Sequence, residues 1–158
     1  GGKWIDQEGR GGDAKAFSLP RGLRNIGNNK ESLDFSFSGL KTAVMLQAQQ
    51  LQTERTFEAA KKDLCASIQE AILDSLLTKT FLLAKLKPTR SIVIVGGVSA
   101  NSRLRERMAS ESPVPVYYPE LKYCTDNGAM IAAIGGLRFM QGKGLSKDQF
   151  LRLNAYAF

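Results

Sequence analysis

The stretch Val95-Gly96-Gly97-Val98-Ser99-Ala100-Asn101 is the one best suited to holding a phosphate. The β-branched run Ser91–Val95 meets two glycines and then a helix start that Ser99 is placed to cap. Paired glycines let a ligand approach the main chain, and a helix start presents unpaired amides at the positive end of its dipole. In open α/β sheets ligands bind beyond the carboxyl ends of strands, where this turn falls. Asn101, in the first helical turn, offers donors and acceptors to a base or ribose. A tight turn with no ligand is the plain alternative. No Gly-Lys-Ser/Thr follows and the spacing is not Gly-x-Gly-x-x-Gly, so neither the Walker loop nor the dinucleotide fingerprint applies.

A second junction, Cys124-Thr125-Asp126-Asn127-Gly128, follows a strand ending near Tyr118. An aspartate at such a place commonly caps a helix and does nothing else. Two such corners on neighbouring parallel strands open on the same sheet edge, however, and from there Asp126 can reach a phosphate-bound cation. One carboxylate does not make a metal site. The third stretch, Asp34–Thr42, reads as an alternating strand passing through Gly39 into a helix, with Phe35 and Phe37 filling core rather than stacking on bases. Cys65 and Cys124 lack metal or multi-cysteine spacing; two free thiols in a reducing cytoplasm are the plain reading and a single bridge the alternative, with Cys124 as a small buried residue. The sequence holds no histidine, so no mechanism that needs an imidazole can be completed by this polypeptide alone.

The elements that must hold these corners follow from periodicity. Residues 1–30 read as loop with one short helix over about 13–17. Alternation predicts a strand over 33–38, and a short helix follows from Leu40 to Leu51. Thr53 caps a long helix to about Leu86, whose Phe57, Leu64, Ile68, Ile72, Leu76 and Leu83 share one face. Ser91–Val95 reads as a strand buried on both faces, and a helix covers 100–110. Residues 113–118 make another strand, with Pro115 suggesting an edge. Thr125 or Asp126 caps a last helix whose apolar side is Met130, Ile131, Ile134, Leu137 and Met140, ended by Gly142 and Gly144. The order strand, helices, strand, helix, strand, helix implies an α/β sandwich with parallel strands.

At 158 residues and 43% hydrophobic content the chain suits one domain with its own core and is too well patterned for global disorder. Its apolar runs are broken by charges before membrane-spanning length, and no signal peptide opens it. The opening Gly1-Gly2, without Met, looks like the start of a segment of something longer. A net charge of +7 is concentrated in residues 1–30, 87–107 and the tail from Arg138. Clustered positive charge suits a polyanion such as RNA, or a merely solvated surface.

Taken together, Asp34–Val44 (DFSFSGLKTAV), Gly96–Arg105 (GGVSANSRLR) and Cys124–Ala132 (CTDNGAMIA) resemble the carboxy-terminal half of the universal tRNA threonylcarbamoyladenosine synthase family, long labelled glycoproteases or O-sialoglycoprotein endopeptidases. The resemblance runs from Gly1-Gly2 to about Gly142. It implies a partial ribonuclease-H-like domain of the actin-like ATPase superfold (sugar kinases, Hsp70, actin), helix-rich and lacking its opening strands. The lead-in would be residues 1–30, the α/β core 31–144 and the tail 145–158. It implies a transferase moving a threonylcarbamoyl group from threonylcarbamoyl-adenylate to N6 of the adenosine 3′ of the tRNA anticodon, in the cytoplasm and away from membranes. Gly2, Gly96, Gly97 and Asn101 would bind the nucleotide, ATP or the adenylate, and Asp126 would be a ligand of one divalent metal, iron or zinc.

The family's other metal ligands, a His-x-x-x-His motif, lie in its amino-terminal half, and that half is missing from this sequence. The fragment is therefore expected to be inactive alone, with tRNA, the amino-terminal half and accessory proteins of the pathway as partners. An unpaired strand edge beside Ser91–Val95 is a further expected consequence. The rival readings are a metal-dependent glycoprotein endopeptidase, for which no His-Glu-x-x-His exists, and a non-catalytic nucleotide-binding or scaffold module.

Overall fold

The computed structural model describes residues 2–22, 33–144 and 146. In chain order its elements are α1 (Gly2–Glu8), α2 (Ser38–Thr53), α3 (Phe57–Leu86), β1 (Ile92–Val93), a 3₁₀ turn (Gly97–Ala100), α4 (Ser102–Glu111), β2 (Val116–Tyr117), a second 3₁₀ turn (Leu121–Tyr123) and α5 (Gly128–Met140). It is a helix-rich α/β arrangement in which β1 and β2 pair in parallel, Ile92 opposite Val116 and Val93 opposite Tyr117. None of the helices among the described residues is long and apolar enough to cross a membrane.

Helix α3 is the spine, 30 residues and thus about 45 Å long. Its first half packs Leu64, Ile68 and Ala71 with Leu40 and Leu51 of α2 and Leu19 of the lead-in. Its second half packs Leu73 and Leu77 with Leu104 and Met108 of α4, and Ile94, Val116 and Tyr118 close that cluster from the sheet. One helix therefore fixes the lead-in and the α/β unit relative to each other. The loop after α1 lies directly on it: a Cβ on Gly12 would come within 2.5 Å of the Lys62 carbonyl oxygen, so only glycine fits.

Several boundaries differ from those read in the sequence. Residues 2–8, expected as loop, form α1, held by contacts with α3 rather than by its own short length. Residues 13–17 form turns, not a helix. Helix α2 ends in a Schellman motif, in which the Arg55 amide donates to the Gln52 carbonyl and the Thr56 amide to that of Leu51. Arg55 takes the left-handed conformation, φ 57°, that glycine usually supplies, so no glycine marked the break and the cap position of α3 falls at Thr56 instead of Thr53.

The expected strand over 33–38 does not form. Residues 33–37 are irregular; Phe35 and Phe37 stack on each other at 6.2 Å, exposed rather than in the core. The buried Lys79 of α3 holds this segment, donating to the Asp34 carbonyl and lying 5.1 Å from the Phe35 ring. Nor is the β1 segment buried on both faces: Val93 and Val95 are exposed while Ile94 enters the core. A two-stranded sheet has a second strand to cover only one edge, and α4 and α3 to cover only one face. The stretch 145–158 read as tail lies, except for residue 146, outside the described residues, as do 23–32.

Candidate functional site

Because β1 and β2 are parallel neighbours, the chain leaves both at one edge, into the glycine turn after the first and the Pro119–Asn127 loop after the second. The glycine turn is tight. Gly96 has φ 80°, a left-handed value that disfavours any side chain, and its carbonyl accepts from the amide and hydroxyl of Ser99 at 3.0 and 2.7 Å. Added Cβ atoms at Gly96 or Gly97 would meet open space, so this main chain is accessible to a ligand.

Ser99 does not cap α4; it closes the glycine turn from a fully buried position. The cap is Asn101, whose Oδ1 accepts from the Leu104 amide at 2.8 Å. Its Nδ2 donates to Gln69 Oε1 of α3 at 2.8 Å and to Asp6 Oδ1 of α1 at 3.2 Å. The Ser102 hydroxyl donates to the same Asp6 oxygen at 3.0 Å, and Arg10 reaches the other at 3.4 Å. A negative side chain thus already sits at the start of α4, where the dipole favours it. Asn101 joins three helices, and both of its amide hydrogens are engaged within the chain.

Asp6 and Gln69 were not legible in the sequence. Asp6 lies in a segment with too few residues to show helical period, and its partner Asn101 is 95 positions away. Gly2 stands one helical turn before Asp6 on α1, exposed, with nothing near its Cβ position. Asp6, not Gly2, makes the hydrogen bond from α1 to Asn101. Beside Asp6 a cavity of about 320 Å³ is lined by Gly9, Gly11, Gly12, Gln69, Ser102 and Arg103.

The second corner is built differently from expectation. Neither Thr125 nor Asp126 caps α5; Asn127 does, its Oδ1 accepting from the Met130 amide at 3.1 Å. Asp126 is exposed beside it. Among the described residues no three His, Cys, Asp or Glu side chains come together as a metal set. The donor set of the described residues alone therefore does not fit a bound iron or zinc. Cys124 is buried and free, as expected, and Cys65 is half-buried and free. Burial, reinforced by Glu8, pushes the Cys65 thiol above its ordinary pKa, which makes it a poor nucleophile.

Arg105 spans the two corners. Its Nε donates to the Ser99 carbonyl at 2.6 Å, and its Nη2 to the Pro119 carbonyl at 3.1 Å and toward Cys124 Sγ at 3.5 Å. Its guanidinium lies 4.8 Å from the Tyr118 ring centre. The other arginines of α4 are held by carboxylates, Arg103 by Glu70 and Glu106, and Arg107 by Glu70, Asp74 and Glu111. Much of the positive charge clustered in 87–107 is thus neutralised within the fold.

Comparison with known proteins identifies the family. The family model described as tRNA N6-adenosine threonylcarbamoyltransferase matches residues 1–133. A curated protein of that name from Polaromonas naphthalenivorans (strain CJ2) is 46% identical over 145 residues, covering 90% of this chain and 39% of the relative. The protein so named from Variovorax paradoxus (strain S110) is 42% identical over 95% of this chain and 42% of its own length. That from Bdellovibrio bacteriovorus is 41% identical over 94% and 42%. The chain spans about two fifths of the length of the curated relatives it matches. With a match over most of its residues, the chain belongs to the tRNA N6-adenosine threonylcarbamoyltransferase family.

Proposed function

We propose that this chain is the carboxy-terminal part of a transferase that moves a threonylcarbamoyl group from threonylcarbamoyl-adenylate to N6 of the adenosine 3′ of the tRNA anticodon, in the cytoplasm. In that step N6 bonds to the carbamoyl carbon, the bond to the adenylate phosphate breaks, AMP leaves and N6 loses a proton. The observation that carries this reading is the family match over residues 1–133. The common edge of the two strand ends supports it, since that is where a nucleotide would sit in such a sheet.

In this reading residues 31–144 are the core of a partial ribonuclease-H-like domain of the actin-like superfold. The amides of the Gly96-Gly97 turn face the phosphate, and Gly2 and Asn101 line the nucleoside end. Since the Asn101 Nδ2 is held by Asp6 and Gln69, its role is to shape that wall. Asp126 supplies one carboxylate to an iron or zinc ion whose other ligands lie in the amino-terminal part. The chain alone is inactive, because half of the cleft is missing. Accessory proteins and tRNA complete the assembly.

The test is reconstitution. The amino-terminal part of the Polaromonas relative, co-expressed with this chain and supplied with the accessory proteins of that organism, should transfer the threonylcarbamoyl group to tRNA when given the adenylate, and this chain alone should not. Transfer absent from the assembled, folded complex refutes the proposal.

A further inference from the structure

We propose that Arg105 is a positioning residue: it sets the Asp126-bearing loop against the glycine turn, so that the two corners keep one spacing. The inference deepens the transferase reading and rests on it for its functional consequence. The pairing of β1 with β2 covers only two residues on each strand, too short a ladder to dictate where the chain goes beyond it. The glycine turn is tied within itself by Ser99, and the following loop by its own 3₁₀ turn at Leu121–Tyr123. What joins them is the Arg105 guanidinium, which donates to Ser99 on one side and to Pro119 and Cys124 on the other.

The chemistry calls for arginine. The two carbonyls are met by Nε and Nη2, two donors of one rigid plane, and that plane lies over Tyr118. A lysine ammonium is a single point and cannot hold both carbonyls in that fixed geometry. Among the described residues Arg105 has no carboxylate partner, unlike Arg103 and Arg107, so its charge is left at the edge where both strands end. Cys124, two residues before Asp126 and 1% exposed, reports on the clamp: if the loop lifts, this thiol is uncovered.

The experiment measures alkylation of Cys124 and Cys65 in this chain by peptide mass spectrometry. In Arg105→Ala the Cys124 rate should rise at least about tenfold, the scale of losing charge-assisted hydrogen bonds, while Cys65 keeps its wild-type rate. Millimolar guanidinium should restore the protection by refilling the vacated plane, and methylammonium should not. Arg105→Lys should fall between the two. An unchanged Cys124 rate in folded Arg105→Ala overturns the proposal. If that variant fails to fold, a wild-type rate in Arg105→Lys does the same. In the reconstituted enzyme Arg105→Lys should lower kcat and leave the KM for tRNA in place; a released Cys124 with unchanged kcat refutes the positioning role. An inactive wild-type pair instead counts against the transferase reading and leaves the thiol measurement to decide on the clamp.

Discussion

Replacing Asn101 separates its two roles, capping α4 and tying α4 to α1 and α3. Asn101→Ala removes both. Loss of the cap costs about 1 kcal/mol, and loss of the two Nδ2 hydrogen bonds about 1 kcal/mol more at a half-buried site, so about 2 kcal/mol in all. Asn101→Ser keeps a capping oxygen and should lose only about half of that. Asn101→Asp keeps the cap and gains a charge at a helix start, worth about 0.3–1 kcal/mol. It also turns a carboxylate toward Asp6 Oδ1 and Gln69 Oε1, where donors stood at 3.2 and 2.8 Å.

Two like charges about 4 Å apart repel by about 4 kcal/mol at an effective dielectric of 20, which the nearby Arg10 only partly offsets. Asn101→Asp should therefore be the least stable of the three at pH 7. Its deficit should shrink as the pH falls, because the crowded pair holds a proton more tightly when folded than when unfolded. The assay is urea unfolding followed by circular dichroism, each variant compared with wild type at pH 7 and at about pH 4.5. Wild-type stability for Asn101→Asp at pH 7, or equal losses for Asn101→Ser and Asn101→Ala, would refute this account of the joint.

Asp74 tests the ion network between α3 and α4. Burial, the largest single influence, raises its pKa, but hydrogen bonds and charge from Arg107 and Arg21 together outweigh it and hold the carboxyl below its ordinary value. A depressed carboxyl stabilises the fold fully above the unfolded-state value, about 3.9, and loses that contribution as pH falls through the lower folded one. Asp74→Asn should cost about 1–2 kcal/mol at pH 7, given its partial exposure, and should flatten the loss of stability below about pH 4; an unaltered acid limb in urea titrations counts against it. On α5, Ile131 is 76% exposed, so Ile131→Glu should change stability in urea unfolding by less than about 0.5 kcal/mol. A cooperative loss of several times that size would mean the side chain is packed.

What could be read from residue order was what short-range physics decides. The end of α3 at Leu86, the break at Gly96-Gly97 and the order of three motifs along the chain were visible, and the motifs led to the family. The period of α3 misplaced its second half: Leu73 and Leu77 are buried there, off the expected face, and Leu83 on that face is exposed. Places where a local rule had two equal candidates went astray. Ser99 and Asn101 are both good caps, and only the position of α1 and α3 chose Asn101, because they supply the acceptors for its other end. The alternation over 33–38 met no strand to pair with among the described residues, so 33–37 stayed irregular and Ser38 opens α2.

The site itself depended on distance in space rather than along the chain. Asp6 meets Asn101 across 95 positions, and Arg105 ties loops that leave two different strands. No periodicity encodes such contacts, since they arise only after α3 has drawn the lead-in and the α/β unit onto its two halves. Residue order specified the longer helices and the family; packing formed α1 and decided which side chains stand together at the strand ends.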